Sequence, residues 1–271
     1  MKVLRLNLHR LTILKVGGSV ITEKSEELTP RTQDINRLAE EIKNASVQSL
    51  IIVHGGGSFG HPLAQKYSIS SGFKERDQQI GFAETHHVMT VLNGLFMDSL
   101  VWHGIPAVSV TPSSFIMTVN GRIKSFEETT LRALVEMKFL PVIYGDAVLD
   151  SALGFTILSG DQLVAHLAMK FNAERIIIGV DVDGLYDADP KTVKTAKICK
   201  HLKLADLKTL QSKLCKPMSC DVTGGMLGKI TELLPVIEVG IPVMVVNATR
   251  PNYIYNALKG ENFEGTLIEK E

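Results

Sequence analysis

Two glycine-rich turns, each leaving a run of apolar residues, constrain this chain more than any other feature. The first is Lys15-Val16-Gly17-Gly18-Ser19, after Leu11-Thr12-Ile13-Leu14. The second is His54-Gly55-Gly56-Gly57-Ser58-Phe59-Gly60-His61, after Leu50-Ile51-Ile52-Val53. Glycine lets a backbone turn tightly and approach a ligand closely, and the N–H groups of such a turn form an anion cradle. Two cradles, one beside a lysine and one ending in a histidine, point to an enzyme that handles two phosphorylated groups.

Short aliphatic runs alternate with longer periodic ones along the chain. Strands are predicted at 11–16, 49–53, 106–110, 141–144, 174–179 and 242–246, and helices near 32–45, 77–101, 127–138, 161–171 and 224–239. This alternation predicts an α/β sandwich with a mainly parallel central sheet. Leu50-Ile51-Ile52-Val53 and Ile176-Ile177-Ile178-Gly179-Val180 read as strands covered on both faces. Gly104-Ile105-Pro106 and Gly240-Ile241-Pro242 mark helix exits before new strands. Ser159 is predicted to cap the helix at Asp161, with Gln162 in the reciprocal capping-box position. The stretch 115–126 reads as a loop. The polar region 185–223 reads either as a lysine-rich part of a nucleotide-side lobe or as solvated loops with a short helix.

At 271 residues the chain can bury a large core, and no internal repeat or linker divides it. Its 29 Lys and Arg balance 29 Asp and Glu, which gives no support to a nucleic-acid or anionic-membrane surface. Cys199, Cys215 and Cys220 cannot all pair within one chain and lack the short zinc-site spacing, which argues for a reducing compartment. No apolar run is long enough to span a bilayer and no secretory pattern opens the chain, so the expected location is cytoplasmic, without stable membrane association.

Neither turn has the order of a P-loop or of the dinucleotide-binding fingerprint, so the chemistry is read from the residues around them. Lys15 ends the first strand, where a cation can neutralise a phosphoryl group in flight while Gly17 and Gly18 hold its oxygens. Lys24, in the next polar turn, reads as a bridge between phosphates or as a solvated lysine. Lys229 follows Gly224, Gly225 and Gly228 near a predicted helix start and reads as a ligand for nucleotide phosphates or as a surface lysine. Asp161 is either a first-turn acid favoured by the helix dipole or an anionic bracket between Lys15 and Lys229. His61 carries a donor nitrogen suited to a phosphate monoester. His54 reads as structural. An acceptor that is already a phosphate needs no general base, because its oxygen is an ionised nucleophile near neutral pH.

These anchors, together with Tyr144-Gly145-Asp146 and Leu158-Ser159-Gly160-Asp161, resemble the amino acid kinase superfamily across nearly the whole chain. The Gly-Ser-Phe-Gly-His-Pro segment at 57–62 resembles its archaeal-type isopentenyl phosphate kinase branch more closely. The resemblance implies an open αβα sandwich that is a single domain over 1–271, with an acceptor lobe near 1–170 and a nucleotide lobe near 171–271. It implies transfer of the γ-phosphoryl group of ATP to isopentenyl phosphate, use of Mg²⁺, and a homodimer. It places Gly55, Gly56, Gly60, His61 and Gly160 around the acceptor phosphate. Lys15 and Lys24 would stabilise transfer, Asp161 would organise the lysines, and Lys229 would contact ATP. Asp181-Val182-Asp183-Gly184-Leu185-Tyr186 resembles the family turn beside the nucleotide, with Asp181 and Gly184 either as contacts or as turn-shaping residues. Related cradles can carry alanine at the Gly57 position.

The acceptor's tail is expected against the helix at 77–100, with Ile80, Phe82, Ala83 and Val88 as candidates and Ile157 nearby. Burial of a short prenyl tail contributes about 0.8 kcal/mol per CH₂. Rival readings are a superfamily phosphotransferase for another small phosphate, phosphonate or carboxylate, and a non-catalytic nucleotide sensor. The sequence names no metal ligand.

Overall fold

A computed structural model describes residues 11–188, 193–214 and 220–271, with the side chains of 210–227 outside the description. The amino-terminal half runs β1 (Thr12–Val16), α1 (Gly18–Ile21), α2 (Thr32–Ala45), β2 (Leu50–His54), α3 (Gly57–Lys66) and α4 (Asp77–Trp102). It continues with β3 (Ala107–Ser109), β4 (Ile116–Val119), β5 (Arg122–Phe126), α5 (Thr129–Glu136), β6 (Leu140–Tyr144), β7 (Asp146–Asp150) and β8 (Gly154–Leu158). The rest comprises α6 (Gly160–Phe171), β9 (Arg175–Val180), β10 (His201–Lys203), α7 (Leu204–Leu214), α8 (Cys220–Glu238), β11 (Val243–Asn247), α9 (Tyr253–Lys259) and β12 (Gly265–Glu269).

Eight strands form one sheet in the order β10-β12-β11-β9-β1-β2-β6-β3. Pairing is parallel from β11 through β3, and β12 runs antiparallel to β11. Every residue of β1, β2, β6 and β11 is buried, as expected for strands covered on both faces. Leu14, Val16, Ile52, Ile177 and Met244 pack beneath α2, α4 and α9, while Ile13, Ile51, Val53, Ile176 and Ile178 pack beneath α6 and α8. The two-residue period of β1 therefore sends Lys15 toward the second face, with Ile13. The chain steps outward from β1 through β2 to β6, and later returns to β1's other side with β9. The carboxyl end of β1 is thus a topological switch point, where open α/β sheets hold ligands.

The predicted parallel core is present, with several additions. A second sheet, β5-β4-β7-β8, was not predicted, and the stretch read as a loop at 115–126 is largely the β4–β5 hairpin. The Gly57–Lys66 segment is a helix that tolerates Pro62 in its second turn. Helix α8 is already formed at Cys220, so Gly224 and Gly225 lie inside it and not at its start. In the 185–223 region, β10 and α7 form an edge strand and a surface helix. Lys208 there pairs with Glu238 at 2.8 Å, and Lys191 and Lys216 lie outside the described residues.

Ser159 caps α6 as predicted, its Oγ accepting from the Gln162 N–H at 3.1 Å. The reciprocal half of the box is absent. The Gln162 side chain instead grips the hairpin, accepting from Ile123 N–H at 2.8 Å and donating to the Gly121 carbonyl at 2.9 Å. Arg122 of the same hairpin donates two bonds to the Glu232 carboxylate, at 2.7 and 2.9 Å, tying it to α8 as well.

Candidate active site

The two glycine turns stand side by side because β1 and β2 are parallel neighbours in register, Val16 opposite His54. They are in contact: a Cβ built on Gly18 would lie 2.1 Å from the Gly57 nitrogen. Gly57 adopts φ +49°, and a Cβ there would fall 2.0 Å from Thr22 Oγ1. Alanine therefore has no room at Gly57 in this chain. At Gly56 and Gly60 a Cβ would strike the Met89 sulfur, at 2.9 and 2.8 Å. Much of the glycine content thus serves contact within the protein as well as approach of a ligand.

Over these turns opens a cleft of about 130 Å³. Of the predicted site residues it gathers Lys15, Gly18, Gly55, Gly56, Gly60, His61, Gly160, Asp161 and Lys229. Lys15 Nζ lies 3.1 Å from Asp161 Oδ1, and Lys229 Nζ lies 3.7 Å from Asp161 Oδ2. One carboxylate between two ammonium groups leaves net positive charge, and the bracket reading of Asp161 is the one the geometry supports. Burial pulls the Lys15 pKa below its ordinary value; Asp161 opposes that pull and Lys229 adds to it. Helices α3 and α6 both start at the cleft, adding the positive ends of their dipoles.

His61 lies on α3, one turn past its start, and not at the end of a loop. Its pKa is lowered first by burial and then by the charges of Lys229 and Lys15. The lowered pKa favours the neutral ring, which offers a single N–H donor. His54 is fully buried, with a pKa lowered to about 4 by burial. Its ring stacks on Tyr144 at 5.3 Å, and its nitrogens face the Gly55 carbonyl and Asn93 Oδ1. The structural reading of His54 is correct.

Other predicted residues stand outside the cleft wall. Gly17 donates its N–H to the Gly179 carbonyl at 2.8 Å. Lys24 is exposed and paired with Asp181 at the end of β9. Gly184, at φ +144°, packs where a Cβ would meet Thr266 Oγ1 at 2.7 Å, which favours the turn-shaping reading. Gly225 falls on α8 in the stretch whose side chains are not described.

The same cleft is also lined by Ala64, Thr85, Met89, Ile157 and Asp146. Among the tail candidates Ile157 is in place, but Ile80 is 58% exposed and Val88 packs into the α2–α4 core. Phe82 lines a separate apolar cavity of about 270 Å³ with Phe73, Leu149 and Phe155. Thr85 and Met89 follow Gly81 at four-residue spacing, a signal available in the sequence whose rotation about the helix axis was not. Asp146 was quoted only as part of an anchor. Its carboxylate is wholly buried, accepts from His86 Nδ1 at 2.9 Å, and has a pKa raised by burial to about 6.

The family model described as "Amino acid kinase family" matches residues 10–247. This chain belongs to the amino acid kinase family. Among its relatives, an isopentenyl phosphate kinase of Methanothermobacter thermautotrophicus is 45% identical over 95% of this chain and 98% of its own length. One from Methanocaldococcus jannaschii is 38% identical over 96% of this chain and 98% of its own. A solved X-ray structure of isopentenyl phosphate kinase superimposes with a TM-score of 0.84 at 40% identity, covering 96% of this chain and 100% of that one. The fold of this amino acid kinase thus matches that solved structure over nearly the whole of both chains. Among the described residues no helix is long and apolar enough to cross a membrane.

Proposed function

We propose that this amino acid kinase transfers the γ-phosphoryl group of ATP to isopentenyl phosphate, giving isopentenyl diphosphate and ADP. One observation carries the reading: a lysine–aspartate–lysine group and His61 line one small cleft together with Met89, Ile157 and Ala64. A short apolar monophosphate matches both sets of residues. The curated relatives named above carry the same activity in their names.

In this reading the acceptor phosphate lies on Gly55, Gly56, Gly60 and Gly160, with His61 donating to one oxygen. That oxygen attacks the γ-phosphorus of ATP as the bond to the β-phosphate oxygen breaks. Lys15 neutralises the charge that spreads over the transferred group, and Lys229 holds the donor phosphates. Asp161 keeps the two cations apart at fixed positions. Gly17, Gly18, Asp181, Gly184 and Gly225 lie on the nucleotide side, and Lys24 reaches the phosphates by leaving Asp181. Mg²⁺ would enter on the ATP phosphates with its own waters, because Asp161 and Asp146 are both engaged by protein cations or donors. Residues 1–170 form the acceptor lobe and 171–271 the nucleotide lobe of one domain.

The partners in this reading are a small prenyl monophosphate and a second copy of the chain, with no nucleic acid and no stable membrane association, in the cytoplasm, where ATP is plentiful. Support for the homodimer comes from α4, where Val91, Leu95 and the 87% exposed Trp102 form a stripe at helical spacing. Light scattering of the purified protein tests it. The function is tested by product identification after incubation with Mg·ATP and a prenyl monophosphate series. Isopentenyl diphosphate is the expected product; saturable turnover only with acetylglutamate, UMP or fosfomycin would reject the assignment.

A further inference from the structure

We propose that Thr22 is a positioning residue that sets the gap between the donor and acceptor phosphates by stapling the two glycine turns together. The inference rests on the phosphate-to-phosphate reading above. Thr22 ends α1, is 1% exposed, and does not line the cleft. Its Oγ1–H donates to the Gly18 carbonyl at 2.9 Å, and its lone pair accepts the Ser58 N–H at 3.0 Å. One hydroxyl thus joins the turn after β1 to the turn after β2.

The surroundings are built for that joint. Gly57 takes a left-handed conformation and leaves out the Cβ that would collide with Thr22 Oγ1, while Gly18 leaves out the one that would collide with Gly57. The Thr22 N–H also donates to the Gly18 carbonyl at 2.9 Å, so this oxygen is held twice. The Ser58 N–H, the second amide of α3, is taken by Thr22, whereas the Gly18 and Gly57 amides beside it have no hydrogen-bond partner among the described residues. Division of labour follows: Thr22 fixes the frame, and the neighbouring amides remain for anions.

Replacing the hydroxyl by a methyl of similar shape turns a 3.0 Å contact with the Ser58 nitrogen into one that needs about 3.5 Å or more. The turns must separate by a fraction of an ångström. A misplacement of about 1 Å can cost ~10²-fold in rate, so Thr22→Val is expected to lower kcat about tenfold or more. Dissociation constants for Mg·ADP and for the acceptor, each measured alone by calorimetry, should stay within about threefold, since each turn remains intact. Thr22→Ser keeps both hydrogen bonds and should restore kcat to within about twofold of the parent.

A purely structural threonine would lower the melting temperature without this split between turnover and binding, and that result overturns the proposal. So does an unchanged kcat in Thr22→Val, or a Thr22→Ser variant as slow as the valine one. If the valine variant does not fold, Thr22→Cys, with its weaker donor, gives the same test. The parent protein is assayed alongside with whichever acceptor it turns over. Parent activity only on a non-prenyl acceptor rejects the substrate reading, whereas an active parent with unaffected variants rejects the role of Thr22 alone.

Discussion

Asp161 and Asp146 both line the same cleft, and each stands against a basic side chain, yet the two pairs differ in burial and in their balance of charge. Asp161 stands between Lys15 and Lys229, two cations for one anion, with helix α6 beginning beside it. Asp146 pairs with one basic side chain, His86, which is 32% exposed, and also accepts the Ala147 N–H at 2.8 Å, while its own carboxylate is fully buried. Burial raises the Asp146 pKa to about 6, and His86 holds it down against that rise. The first arrangement keeps positive charge in excess where phosphates would lie. The second raises the proton affinity of a carboxylate that lines the cleft with Met89 and Ile157. Burial, more than residue type, sets how tightly Asp146 holds its proton.

The sharpest way to break this comparison is Lys15→Ala. Removing a preorganised cation from the transferred group is expected to lower kcat by ~10²–10³-fold in single-turnover measurements. A loss confined to the nucleotide KM would assign Lys15 to ground-state binding alone.

Asp146→Asn addresses the other pair through stability. The folded pKa of Asp146 is raised above its ordinary value of 3.8, so the folded state holds the proton more tightly than the unfolded chain. Its contribution is therefore most favourable below about pH 4 and is lost as pH rises toward and through about 6. The interval corresponds to about 3 kcal/mol. Denaturant melts of the parent and of Asp146→Asn between pH 4 and 7 should show the parent losing stability relative to the variant by up to that amount. Parallel curves would mean that Asp146 titrates as an ordinary carboxylate.

His61 separates charge from hydrogen bonding between these two settings. Loss of its donor in His61→Ala should cost about 1.5–3 kcal/mol in acceptor kcat/KM, with Mg·ADP affinity kept. Because its pKa is lowered, acceptor use in the parent should not fall between pH 7 and 8 through loss of a His61 proton. A steep fall that vanishes in His61→Ala would show that the imidazolium is required. The smallest effect is expected from His86→Ala, which removes the charge that holds the Asp146 pKa down. Carboxyl resonances in NMR titrations should show Asp146 moving above about 6, with little change in kcat.

Legibility in the sequence followed the strength of local pattern. Continuous aliphatic runs such as Leu50–His54 and Arg175–Val180 announce buried parallel strands, a long amphipathic stretch announces α2, and a long proline-free run rich in apolar residues announces α4. The second sheet was hidden because its strands mix polarity, as in Arg122–Phe126 and Asp146–Asp150. Gln162 shows the limit of a local motif: the spacing suggests a reciprocal cap, but the side chain gains two bonds to a hairpin some forty positions earlier in the chain. In the site, lysines and histidines flanking glycine could be read directly, since the turn itself places them. Thr85, Met89 and the buried state of Asp146 depend on helix rotation and on strands distant in sequence, which no local pattern encodes.

The contact between Gly18 and Gly57 makes the two turns a single mechanical part. Neither can be lengthened, grafted onto another scaffold or given a side chain at that seam without moving its neighbour. Any redesign of acceptor preference in this protein must therefore work from the α4 and β8 residues that line the cleft, leaving the seam untouched.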